Sequence, residues 1–231
     1  MNTVTPIEVK ISAINVEAQG IKSLELVAAA GGTLPAFTAG AHIDLHLANG
    51  LVRSYSLINS QGTNDRYVVA INRDPASTGG SIFIHDSLNV GDKLAVSAPR
   101  NNFKLVEDAP HTVLIAGGIG VTPLWSMIQR LEELGRSWEL FYSTRTPATM
   151  AFREQLTSLE AKSGGRVHLN FDQEPGGKML DLQSLVVDDT TDWVFTQAVG
   201  INDKGQIVGN AAVGPDSDSA PHAFVLTPIA P

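Results

Sequence analysis

Cysteine is absent from all 231 residues. The chain therefore forms no disulfide, no thiolate zinc site, no cysteine-ligated iron–sulfur cluster and no cysteine nucleophile. Positive charge is scarce: 16 Lys and Arg against 24 Asp and Glu leave a net charge of −8, which argues against a groove for a nucleic-acid backbone. Long apolar runs are also missing. None approaches the roughly 18 residues that span a bilayer, and Met1-Asn2-Thr3-Val4-Thr5-Pro6 lacks the basic-then-apolar build of a signal peptide. A cytoplasmic protein with no membrane partner is the expectation. The six histidines show no ligand spacing, and His42, Asp44 and His46, on one face of a predicted strand, read as solvated positions, so no metal site is expected. With 43% hydrophobic residues the chain is rich enough in apolar groups to fold compactly, as one or two domains.

The first hundred residues read as short alternating strands between turn signals, the pattern of a sandwich or a barrel. The strands fall at residues 7–14, 21–27, 42–47, 53–57, 67–71 and 93–97, with Asn49-Gly50 as the strongest hairpin signal and residues 81–88 as one short helix. Glu107-Asp108-Ala109-Pro110 separates two apolar segments and marks a domain boundary. Beyond it the period changes. Strands at residues 111–116, 138–143 and 166–171 alternate with helices at 123–134 and 147–162, the sequence of a parallel sheet. Thr122 reads as the first helix's N-cap and Gly135 as its stop. A short helix is expected at residues 182–187. From residue 193 the chain becomes Gly-rich and turn-rich and reads as a small β-meander, whose first strand, Trp193 to Ala198, is expected to extend the parallel sheet.

Three clusters of residues suit ligand chemistry. Gly117, Gly118 and Gly120 stand where a buried strand turns into a helix, a place where a pyrophosphate can approach backbone amides, although the spacing is not G-x-G-x-x-G. Arg53-Ser54-Tyr55-Ser56-Leu57 puts a cation and an aromatic ring on one face of a strand. Gly79-Gly80-Ser81 opens the short helix with free amides and a hydroxyl. Each has a plain structural reading as well: a tight turn, an exposed strand and a serine-capped glycine loop.

Taken in order, Arg53-Ser-Tyr-Ser-Leu, Gly79-Gly-Ser-Ile-Phe-Ile-His-Asp, Gly91-Asp-Lys-Leu-Ala-Val-Ser-Ala-Pro-Arg-Asn-Asn-Phe and Gly117-Gly-Ile-Gly-Val-Thr-Pro resemble the phthalate dioxygenase reductase and vanillate demethylase reductase group of the ferredoxin-reductase superfamily. The resemblance covers residues 5 to about 188. It implies a flavin-binding β-barrel followed by an α/β parallel-sheet nucleotide domain: residues 1–108 for the flavin, 109–192 for NAD(P) and 193–231 as a β-rich tail. It implies FMN in preference to FAD, and NADH in preference to NADPH. Arg53 is then a flavin phosphate or ribityl contact, Tyr55 packs on the ring, and Ser56 is the catalytic hydroxyl near the flavin N5. Ser54, Leu57, Ile71 and Arg73 join the cofactor's surroundings, and Gly79, Gly80 and Ser81 match the phosphate-binding turn. Gly118, Ile119, Gly120, Val121 and Thr122 match the nucleotide loop, with Ser143, Thr144, Arg145 and Asp172 beside the adenosine half.

Two departures qualify the resemblance. The family's Cys-Gly-Pro strand end and its plant-type 2Fe-2S domain have no counterpart among these residues, which makes the nucleotide domain look truncated. In their place Ala198 to Asn210 and His222-Ala-Phe-Val-Leu-Thr-Pro resemble one unit of the repeats named for their His-Ala-Phe triplet. The expected activity is hydride transfer from NADH to a flavin, with electrons passed to an external acceptor or an oxygenase. Two other readings are a flavin- or nucleotide-binding module with little turnover, and a chimeric reductase fragment whose tail mediates interaction.

Overall fold

The computed structural model describes residues 6–163, 165–174, 193–201, 207–213 and 222–226. The chain divides into two compact units, Met1–Gly177 and Lys178–Pro231.

Alternation builds the first half of the larger unit. In β1 (Ile7–Ala18) Val9 and Ile11 are buried while Glu8 and Lys10 face water, the period-two pattern of a strand with one wet side. With β2 (Ile21–Ala28), β3 (His42–His46), β4 (Val52–Ser56), β5 (Arg66–Asn72) and β6 (Lys93–Val96) it forms an antiparallel sheet in the order β4-β3-β6-β1-β2-β5. A bridge between Leu57 and Val69, with the Ile58 N–H donated to the Val68 carbonyl at 2.8 Å, joins the two outer strands. The sheet is thereby closed into a barrel, joined at that bridge between its two outer strands. Its interior is filled by Ile11, Leu24, Leu26, Ile43, Leu45, Tyr67, Val69 and Ile71, and Ile84 of α1 (Gly80–Ser87) packs into the same cluster.

The second half is parallel. Strands β7 (Thr112–Gly117), β8 (Trp138–Thr144) and β9 (Val167–Phe171) lie side by side in that order, linked through α2 (Val121–Glu133) and α3 (Arg153–Ser163). Leu124, Met127, Ile128 and Leu131 form the buried stripe of α2. Its end is a Schellman motif: Gly135 at φ 62 donates to the Glu132 carbonyl and Arg136 to that of Leu131. Its beginning corrects the sequence expectation. The helix starts at Val121 with Gly120 as N-cap, and the Thr122 hydroxyl donates back to the Ile119 carbonyl at 3.0 Å instead of capping.

The expected helix over 147–162 is also divided. Pro147–Thr149 is a 3-10 turn behind a Thr146/Thr149 capping box, and Phe152 takes a left-handed φ of 59 before α3 begins. Such a conformation costs roughly 1–3 kcal/mol in a non-glycine residue. Burial of Phe152 and its stacking on Trp125, with centroids 5.3 Å apart, offset that cost.

The two halves share a seam along α2. Ser126 Oγ donates to the Asn59 carbonyl at 3.1 Å and Gln129 Nε2 to that of Ile58 at 2.7 Å. Arg130 grips Glu107 through two bonds of 2.8 and 3.0 Å, so the predicted boundary segment is anchored on the helix. Gly40, at φ 91, admits no side chain: a Cβ there would lie 2.0 Å from the Phe103 carbonyl oxygen and 2.7 Å from Met127 Cε.

In the smaller unit β10 (Trp193–Ile201), β11 (Ile207–Val213) and β12 (His222–Leu226) form an antiparallel sheet in chain order. Strand β10 takes β11 as its partner, whereas the sequence reading places it as a fourth parallel strand. The helix expected at residues 182–187 lies outside the described residues. No helix among the described residues is long and apolar enough to cross a membrane.

Tyr67 and Tyr142 are both buried, Tyr67 donating its phenol to the Pro35 carbonyl at 2.6 Å, and burial pushes each pKa up to about 12. Their contribution to stability is full below the ordinary value near 10 and is lost as the pH rises toward 12. Absorbance of tyrosinate should therefore show two of the three tyrosines ionising only near pH 12 or together with unfolding. Ionisation of all three near pH ~10 in an intact fold contradicts this burial.

Candidate functional site

Strand β4 sorts its side chains by alternation. Arg53 and Tyr55 share one face, while Ser54 points the other way and donates to Asp44 Oδ1 at 2.6 Å. Asp44 also receives Arg100 at 2.7 Å. Burial raises its pKa, but the bonds from Ser54 and Arg100 outweigh that and hold the carboxyl below its usual value. Ser54 is thus engaged on the side away from Arg53. Arg53 donates from Nη2 to Thr78 Oγ1 at 2.6 Å and from Nη1 to the Val52 carbonyl at 2.8 Å. Its stem runs over Gly80, where a Cβ would lie 2.8 Å from Arg53 Cγ and 2.9 Å from Nε. Gly79, the N-cap of α1 at φ 106, stands next to it. Arg53, Gly79 and Gly80 therefore meet at the start of α1, whose first amides have no partner within the helix.

The other barrel residues divide by role. Ser81 is buried and its Oγ accepts the Asp74 N–H at 3.2 Å, which closes the loop before α1. Arg73 holds Asp86 through bonds of 3.2 and 2.9 Å and so ties the end of β5 to α1. The side chains of Leu57 and Ile71 fill the barrel core, which leaves only their backbone for a ligand, and the Ile71 carbonyl already accepts from His85 Nε2 at 2.9 Å. Tyr55 is half-buried, and that burial raises its phenol pKa. Ser56 is half-buried opposite His42, and among the described residues its hydroxyl has no partner.

The glycine loop lies at the C-terminal end of the parallel strands, where ligands of such sheets bind. Strand β7 ends at Gly117, and Gly118–Gly120 form a 3-10 turn leading into α2. A Cβ placed on Gly117, Gly118 or Gly120 would meet nothing within 4 Å among the described residues, and Gly118 has a φ of 51. The loop thus turns bare backbone toward open space, with Val121 buried and Ile119 packed on the core.

The sheet register sets Gly117 beside Ser143 and Ser143 beside Asn170. Ser143 Oγ donates to Asp172 Oδ1 at 2.7 Å, and Asn170 Nδ2 donates to both, at 2.8 and 2.7 Å. The structure therefore brings Ser143 and Asp172 together. It adds Asn170, whose one sequence signal is its spacing of two from Asp172 at a strand end. Thr144 is buried with its hydroxyl on the Thr146 carbonyl, and is structural. Arg145 is exposed, and its guanidinium has no partner among the described residues.

The family described as Oxidoreductase NAD-binding domain matches residues 114–200, a span that takes in the glycine loop, Ser143 and Asp172. Tetrachlorobenzoquinone reductase of Sphingobium chlorophenolicum is 50% identical over 194 residues, 84% of this chain and 60% of the relative. Phenoxybenzoate dioxygenase subunit beta of Ectopseudomonas oleovorans is 46% identical over 184 residues, 80% of this chain and 56% of the relative. The solved structure of phthalate dioxygenase reductase superposes with a TM-score of 0.72 at 40% identity, over 78% of this chain and 56% of that one. This chain is a homologue of the phthalate dioxygenase reductases. It spans little more than half the length of these relatives.

In this reductase homologue the barrel and the parallel sheet are the two layers of a ferredoxin-reductase-like fold. The residues present fit a nicotinamide nucleotide: the space over Gly117, Gly118 and Gly120 is what a side chain would fill, and the backbone amides border it. Gly120 offers a clean test, because its helical φ of −59 suits any residue. Gly120→Leu is expected to change stability by less than about 1 kcal/mol while lowering affinity for a nicotinamide nucleotide at least ~10-fold, read by titration calorimetry and thermal melting. Unchanged affinity would place the nucleotide elsewhere.

Proposed function

We propose that the chain is the flavin- and nicotinamide-binding part of an NADH-dependent reductase, with FMN as its flavin and an external acceptor such as an oxygenase receiving the electrons. One observation carries the reading: the Arg53 guanidinium is held beside Gly79 and Gly80 at a helix start, in the same compact unit as the open glycine loop of the parallel sheet. A bound flavin would supply the chemistry that proteins lack, accepting a hydride and releasing electrons singly or in pairs.

The chain's own residues orient and bind. Arg53 supplies a fixed charge for the flavin phosphate, and a charge-assisted bond of this kind is worth ~1.5–3 kcal/mol. The compact Arg53–Gly79–Gly80 corner suits a single phosphate, which favours FMN. Tyr55 gives the ring a flat neighbour, and the Ser56 hydroxyl, without a partner among the described residues, can donate to the reacting edge. On the nucleotide side the glycine loop seats the pyrophosphate. Asp172, already accepting from Ser143 and Asn170, can accept a ribose 2′-hydroxyl and repels a 2′-phosphate, which favours NADH. Since these residues include no cysteine, electrons leaving the flavin cross no thiolate-held cluster within this chain.

Reconstitution of the purified protein with FMN, followed by visible spectroscopy and NADH oxidation with a dye acceptor, tests the reading. A yellow, NADH-oxidising protein with a lower KM for NADH than for NADPH is expected; protein that stays colourless overturns it. Ser56→Ala is expected to slow flavin bleaching by NADH roughly 10-fold in stopped flow while FMN affinity stays within about twofold, as fits a hydroxyl that acts on the reacting edge. Equal bleaching rates would make Ser56 a strand residue only.

A further inference from the structure

We infer that Thr78 is a positioning residue for the flavin phosphate site, fixing the Arg53 guanidinium in the orientation that selects a phosphorylated flavin over an unphosphorylated one. The inference rests on the proposed assignment of the flavin phosphate to Arg53.

A free arginine on a strand face has many rotamers, and holding it in one place for a ligand costs entropy at the moment of binding. Here two features restrict it beforehand. Thr78 Oγ1 accepts Nη2–H at 2.6 Å, a short charge-assisted bond from a residue 25 positions away in sequence. Gly80 lets the stem pass: with a Cβ 2.8 Å from Cγ and 2.9 Å from Nε, any larger residue would push the side chain off the start of α1. The own-strand Val52 carbonyl takes one Nη1–H. A guanidinium has five N–H groups, so after these two bonds Nε–H and one hydrogen on each terminal nitrogen remain for an anion. Thr78 is itself exposed. Among the described residues its hydroxyl bonds to Arg53.

The two anchors make opposite predictions from ordinary structural roles. Gly80 is helical with no positive φ, and Gly→Ala inside a helix normally stabilises. Loss of flavin selectivity without loss of stability is therefore the signature of a positioning role.

The experiment titrates the full chain with FMN and with riboflavin, following quenching of flavin fluorescence, in the unaltered protein, Thr78→Val, Thr78→Ser, Gly80→Ala, Arg53→Ala and the Arg53→Ala/Thr78→Val pair. Thr78→Val and Gly80→Ala are expected to weaken FMN about 5- to 10-fold, with riboflavin affinity unchanged, with no fall in melting temperature and with Thr78→Ser close to the unaltered protein. In the Arg53→Ala background, Thr78→Val should have no further effect. The inference is overturned if Thr78→Val leaves FMN binding unchanged, weakens both flavins alike, or still weakens FMN when Arg53 is absent, the last outcome marking Thr78 as a direct ligand. Unchanged FMN affinity in Arg53→Ala would instead overturn the phosphate assignment itself, so the two failures are separately visible.

Discussion

The short segment Leu57–Asn59 bears the constraint on which the candidate site depends. Its backbone closes the barrel against Val68 and Val69, and the Asn59 side chain clasps β5 by donating to the Arg66 carbonyl and accepting the Val68 N–H, each at 3.0 Å. The carbonyls of Ile58 and Asn59 then receive Gln129 and Ser126 of α2. One stretch of three residues thus follows directly on Ser56 and holds the helix whose first turn is the nucleotide loop. The same three residues thus take part both in barrel closure and in placing the helix that follows the glycine loop. A hydride donor and acceptor need ring-to-ring placement within a fraction of an ångström, and such placement is more precise when both partners are mounted on one rigid joint.

Much of this was legible in the sequence, for identifiable reasons. The barrel strands announce themselves by alternation because one side faces water, and α2 by its apolar stripe at helical spacing. The glycine loop is readable because three glycines in four residues stand where an apolar strand gives way to a helical stripe, although only Gly118 among them has a left-handed φ. Thr78 and Asn170 were not legible. A threonine in a turn and an asparagine in a strand are ordinary, and only the packing of β4 against α1, and the register of β8 against β9, gives them partners. The break at Phe152 was hidden for a similar reason: nothing local forbids a helix from Pro147 onward, and the left-handed residue is held by the distant ring of Trp125. Leu57 and Ile71 entered the site by resemblance, but their side chains belong to the barrel core and only their backbone faces outward.

Charge placement joins the two candidate binding regions. The chain is acidic overall, and most of its described arginines are paired with carboxylates: Arg66 with Glu25 and Asp65, Arg73 with Asp86, Arg100 with Asp44, Arg130 with Glu107, and Arg166 with Glu132. Arg53, Arg136, Arg145 and Arg153 have no salt bridge among the described residues, and of these Arg53 and Arg145 stand where the resemblance places a phosphate or an adenosine group. A protein carrying a net charge of −8 repels an anionic cofactor at long range, so binding depends on local cations that no internal acid has already neutralised. Arg53 meets that need by using a hydroxyl and a carbonyl as its anchors, both neutral acceptors that orient the guanidinium without cancelling its charge. An aspartate at position 78 would hold Arg53 equally well in geometry, yet it would remove the positive potential that makes the corner a phosphate site. Threonine satisfies both requirements, and that is the physical reason a neutral residue suits this position.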